Sequence, residues 1–94
     1  MKRIMGIDYG TARIGIAFSD ELQMLAHPGE TIVVGKGPDP LQRIAALTLE
    51  KNVERIVVGF PRHMNGTTGE SAEKARGFAE KLQKKVACEV RTWD

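Results

Sequence analysis

The sequence holds a single cysteine, Cys88, and therefore no internal disulfide. A lone thiol agrees with a reducing compartment, and its place in an alternating segment reads as burial rather than reactivity. Long apolar runs are also missing. None approaches the roughly 18 residues that a membrane helix needs, so no bilayer span and no membrane partner is expected. The opening Met-Lys-Arg leads into a short apolar stretch and then Asp8, not into the apolar core of a secretion signal, and the expected location is the cytoplasm. Net charge is small: fourteen basic against twelve acidic side chains leave +2, compatible with a nucleic-acid partner without arguing for one. Cys/His spacing for zinc, a serine-histidine-acid pattern and a Gly-Lys-Ser/Thr phosphate loop are all absent.

What is present is an ordinary globular composition, 41% hydrophobic and 28% charged over 94 residues, enough for one domain and too little for two. Two short apolar runs, residues 3–8 and 14–19, are joined by Tyr-Gly-Thr-Ala-Arg and read as a hairpin. Residues 30–34 make a third strand after the His-Pro-Gly punctuation at 27–29. Asp39 and Pro40 suit the cap and first position of a helix over residues 40–51, with Leu41, Ile44, Ala45, Thr48 and Leu49 at helical spacing. The uninterrupted Ile56-Val57-Val58 has the character of a parallel strand buried on both faces. A polar loop, residues 62–71, leads to a second helix capped by Thr67 or Ser71, with Ala72, Ala75, Phe78, Ala79 and Leu82 on one stripe. Residues 86–93 alternate as a last strand. The fold class is α/β, in the order β-β-β-α-β-α-β, with a mixed sheet.

Asp8 stands where the first strand ends, and in open α/β sheets ligands bind beyond the carboxyl ends of the strands. A carboxylate there can coordinate Mg²⁺ or Mn²⁺ through oxygen. Gly10 would let the backbone approach a phosphate, Thr11 offers a hydroxyl and an N–H, and Arg13 can grip a phosphate bidentately. An Asx-turn with Arg13 paired to the acid accounts for the same residues. Arg62 and Asn65, in the loop after the fourth strand, could hold phosphate ahead of the second helix, or serve an ordinary strand-to-helix connection. Asp94 ends the last strand at the same side of the sheet. It is either a second carboxylate for a metal or a frayed end.

The stretches DYGTARIGIAFSD, IVVGFPRHMNGTTGESAEKARGFAEKL and VRTWD together resemble the YqgF/RuvX family of Holliday junction resolvases, and the resemblance runs through the whole chain. It implies a ribonuclease H-like fold and a metal-dependent nuclease that hydrolyses phosphodiester bonds. The expected partner is nucleic acid, either an rRNA precursor cut at the 5′ end of pre-16S rRNA or branched DNA, with a homodimer suiting symmetrical cutting. It places the metal-binding aspartate at Asp8, with Gly10 and Arg13 in the same turn, and the Gly-x-Pro motif on Gly59 and Pro61. The third motif, Asp-Glu-Arg, begins at Asp94. The expectation is thus one ribonuclease H-like domain over residues 1–94 that lacks the family's C-terminal helix. Two other classes share the residues: an actin- or sugar-kinase-like hairpin holding nucleotide phosphates through Asp8, Gly10 and Thr11, and a non-catalytic nucleic-acid-binding module.

Overall fold

A computed structural model describes residues 2–10, 12–19, 26–59 and 68–93. It contains five strands and two helices in the expected order: β1 (Arg3–Tyr9), β2 (Arg13–Ser19), β3 (Ala26–Val33), α1 (Pro40–Glu50), β4 (Val53–Gly59), α2 (Thr68–Gln83) and β5 (Glu89–Trp93). The strands form one sheet in the order β3-β2-β1-β4-β5. β1 and β2 pair antiparallel, as do β2 and β3, while β4 runs parallel to both β1 and β5. The carboxyl ends of β1, β4 and β5 therefore share one edge of the sheet.

Alternation decides which side of the sheet is covered. Met5 and Ile7 of β1, Ile14, Ile16 and Phe18 of β2, Ile32 of β3, and Ile56 and Val58 of β4 are buried in one cluster with Ile44 and Leu47 of α1 and Ala75, Ala79 and Leu82 of α2. Both helices thus lie on one face. The residues between them point to the other side, where no helix packs among the described residues. Among the described residues, Ile56 and Val58 are fully buried under the helices, while Val57, on the side away from them, is half-buried.

Several local features depart from the expected ones for physical reasons. β3 begins at Ala26 and runs through Pro28 and Gly29, because it is an edge strand and an edge tolerates a residue without an N–H. A register irregularity between Gly15 and Ala17 of β2 falls opposite this stretch. Gly29 is required there, since a Cβ would come within 2.7 Å of the Phe18 ring and 2.9 Å of the Ile16 carbonyl. In α1 the buried stripe is Ile44, Leu47 and Thr48, whereas Leu49, five residues past Ile44, falls off it and is 85% exposed. Asp39 holds the N-cap position and Pro40 the first turn, but the Asp39 side chain makes no capping hydrogen bond. Asn52 turns the chain from α1 into β4 with a left-handed φ of 53°, a conformation asparagine accepts better than most residues.

Ser71 lies inside α2 rather than at its cap, and Thr67 is outside the described residues. β5 starts only at Glu89. The Gln83 side chain at the end of α2 donates to the Cys88 carbonyl at 2.8 Å and accepts from the Val90 N–H at 3.0 Å, which holds residues 84–88 as a turn. Cys88 is half-buried against the core, and burial pushes its thiol pKa up.

Candidate functional site

The sheet edge formed by the carboxyl ends of β1 and β4 carries one exposed acid, Asp8, next to last in β1. The hairpin beside it is tighter than its sequence suggests. Tyr9 pairs with Ile14, so only residues 10–12 connect β1 to β2. Gly10 is needed for this turn: a Cβ there would come within 2.7 Å of the Arg13 carbonyl oxygen. The Val34 N–H donates to the Ala12 carbonyl at 2.9 Å, tying the hairpin tip to the end of β3. On the helix side, the Tyr9 ring packs against Phe78 of α2 with centroids 4.7 Å apart. The element that presents Asp8 is thus held from both neighbouring directions.

Asp8 makes no ion pair with any described residue, Arg13 included, so an Asx-turn closed by an Asp8–Arg13 pair is not what the geometry shows. Arg13 opens β2 and is exposed. Of the other expected site residues, Thr11, Arg62, Asn65 and Asp94 lie outside the described residues. β5 does reach the same edge: Trp93 is in register with Gly59, and Gly59 with Asp8.

The surroundings of Asp8 were not legible from motif spacing. Its cross-strand partner on β2 is Gly15 and its partner on β4 is Gly59, so neither flank carries a side chain. Below it, on the side away from the helices, lies a shallow hollow of about 570 Å³ lined by Gly6, Asp8, Gly15, Ala17, Val57 and Gly59 among others. The only signal for Gly15 was the hairpin register, which becomes readable once the turn is known to be three residues.

On β4 and β5 the same face carries Arg55 and Arg91, which share one carboxylate, Glu89, at 2.9 and 2.7 Å. Both arginines hold the Glu89 carboxyl below its ordinary pKa, the Arg91 hydrogen bond most strongly. Two guanidinium groups around one carboxylate leave a positive excess beside Val57, the register partner of Arg91.

An exposed, unpaired carboxylate is a hard oxygen donor of the kind that suits Mg²⁺ or Mn²⁺. It is one donor: no group of three or more acids, histidines or cysteines gathers among the described residues. No described helix is long and apolar enough to cross a membrane.

Comparison with known proteins places this geometry. Residues 2–94 match the family described as RuvX, Holliday junction resolvase. A Halothermothrix orenii protein named "Putative pre-16S rRNA nuclease" is 45% identical over 93 residues, covering 98% of this chain and 66% of its own length. A protein of the same name from Acetivibrio thermocellus is also 45% identical, over 94 residues and 67% of its length. The chain thus spans about two thirds of the length of these relatives. Among solved structures, T. thermophilus RuvC in complex with a Holliday junction substrate superposes with a TM-score of 0.61 at 19% identity, over 99% of this chain and 64% of that one. An exopolyphosphatase from Cytophaga hutchinsonii gives 0.60 at 20% identity over 98% of this chain but only 34% of its own. These likenesses show the fold, a ribonuclease H-like mixed sheet, and the sequence match shows the lineage: the chain belongs to the RuvX family of Holliday junction resolvases.

Proposed function

We propose that the protein is a nuclease that hydrolyses phosphodiester bonds in the precursor of 16S rRNA, with Asp8 as a ligand for Mg²⁺ or Mn²⁺. The observation that carries this reading is the position of Asp8: exposed, unpaired among the described residues, and at the carboxyl end of the central strand of a RuvX-family sheet. A divalent ion bound there would supply Lewis acidity and lower the pKa of a bound water. Asp8 would hold that ion together with Asp94, the residue at which the family's third motif begins. Gly10 and Thr11 would bring backbone and hydroxyl groups to the phosphate, and Arg13, Arg62 and Asn65 would hold it against the sheet. Water would attack phosphorus, one P–O ester bond would break, and the leaving oxygen would depart as a hydroxyl of the other strand end.

The choice of rRNA over branched DNA rests on the name carried by the relatives at 42–45% identity. It brings with it a cytoplasmic location, where ribosomal precursors are cut. A junction cut symmetrically on two strands would call for a homodimer, and an RNA precursor would not.

The test is cleavage of a 5′-labelled pre-16S rRNA fragment in Mg²⁺ by the protein and by its Asp8→Asn variant. Loss of about 10²-fold or more in rate at unchanged Tm is expected. A variant that cuts at the original rate would refute the assignment. Mn²⁺ binding that required ATP would favour the nucleotide-phosphate alternative instead.

A further inference from the structure

The inner strands β1, β2 and β4 take their register from the core. Each buries at least two large side chains under the helices, and a slip along a neighbour would pull them out. β5 has no such anchor. It is an edge strand of five residues, Glu89–Trp93, in which Val90 is half-buried and Glu89, Arg91 and Thr92 are exposed. Its path nevertheless matters at its far end, because Trp93 is in register with Gly59 and Gly59 with Asp8. A slip of two residues along β4 would keep every side chain on its own face and move that end by about 6–7 Å. Metal–oxygen distances are only about 2.0–2.6 Å.

Two side-chain clasps oppose such a slip. Arg55 reaches its register partner Glu89 at 2.9 Å, but the pair is exposed and Glu89 also takes Arg91, and exposed ion pairs hold weakly. The other clasp is Gln83, the last residue of α2. Its amide donates to the Cys88 carbonyl at 2.8 Å and accepts from the Val90 N–H at 3.0 Å. One side chain thus satisfies a backbone acceptor and a backbone donor two residues apart, much as a neighbouring strand would. It also ties the start of β5 to a helix that the core holds through Ala75, Ala79 and Leu82.

We propose that Gln83 is a positioning residue for the reaction: by fixing where β5 begins, it sets where that strand delivers Asp94 relative to Asp8. The inference rests on the reading of Asp8 and Asp94 as the acids that hold the metal ion. Gln83 acts from the opposite end of β5 and through the backbone alone.

The experiment compares Gln83→Met, which keeps the side-chain length and removes both hydrogen bonds, with Gln83→Glu, which keeps only the acceptor. Ile44→Val, a shortened core side chain in α1, is the control for lost stability. Tm, Mn²⁺ affinity without RNA, and kcat and KM for cleavage of the RNA fragment in Mg²⁺ are measured for each. Gln83→Met is expected to lower Mn²⁺ affinity and kcat about ten-fold with KM unchanged, Gln83→Glu to fall between, and Ile44→Val to lower Tm alone. In an Asp94→Asn background Gln83→Met is expected to add nothing, because its effect runs through Asp94. Unchanged Mn²⁺ affinity and kcat in Gln83→Met, beside an Asp8→Asn variant that does not cut, would overturn this inference and leave the nuclease reading intact. Normal cutting by Asp8→Asn would remove both. A loss that follows Tm across all variants, or that persists in full in the Asp94→Asn background, would leave Gln83 a stabilising residue only and overturn the proposal.

Discussion

The same strands present two unlike faces. Met5, Ile7, Ile14, Ile16, Ile56 and Val58 alternate with Gly6, Asp8, Gly15, Ala17, Val57 and Gly59, one residue apart in each strand. The first set is buried under two helices and holds the large aliphatic side chains. The second is small and half-bare, with one acid at its upper edge. Because the side-chain period of a strand is two, each strand writes both faces at once, and selection on one leaves the other free. The first face holds the buried aliphatic cluster, and the second, which no described helix covers, carries the acid of the proposed chemistry.

That division can be broken most severely from the covered side. Ile56 is fully buried at the centre of the cluster, and Ile56→Ala removes its packing and leaves a cavity. A loss of about 3 kcal/mol is expected in urea unfolding. The counterpart on the bare face is Asp8→Asn, which abolishes cutting in the proposed reading. It is expected to change stability by no more than about 0.5 kcal/mol, because the carboxylate is exposed and unpaired among the described residues. A large stability change there would erase the contrast.

The smallest effect is expected at the rim. Arg43 of α1 clamps Glu30 of β3 through two hydrogen bonds, at 2.8 and 2.9 Å, and also reaches Glu50 at 3.4 Å. The Arg43 hydrogen bond holds the Glu30 carboxyl below its ordinary pKa against the opposing effect of burial. A group held low in the folded state stabilises fully above its unfolded value, and that stabilisation fades as pH falls through the lower folded value. Glu30→Gln should therefore cost a little Tm near neutrality and nothing in strong acid. Both partners are substantially solvent-exposed, so the effect should sit near the limit of detection and shrink with salt.

Much of this was legible in the residues alone. The element order, the mixed sheet, the α2 stripe and the placement of Asp8 at a strand end all follow from period and turn chemistry. What was not legible depends on facts outside each segment. An apolar run such as Ile56-Val57-Val58 cannot say whether its second face is covered. Pro28 and Gly29 read as a turn until β3 is known to be an edge strand. The late start of β5 depends on a single amide, Gln83, bridging its approach. Leu49 looked like stripe because counting by type ignores its 140° offset from the stripe's centre. Gly15 went unnoticed because its meaning lies in what it faces across the hairpin. Of the expected site, Asp8, Gly10 and Arg13 come together at one edge, while Thr11, Arg62, Asn65 and Asp94 fall outside the described residues.

The most direct test of the two-faced account is amide NMR of the protein during a Mn²⁺ titration. Paramagnetic broadening should centre on Asp8 and spread first to Gly15 and Gly59, with the α2 residues Ala79 and Leu82 affected last, and Asp8→Asn should abolish it. Broadening centred elsewhere, or unchanged in Asp8→Asn, would contradict the placement of the metal-holding acid on the bare face.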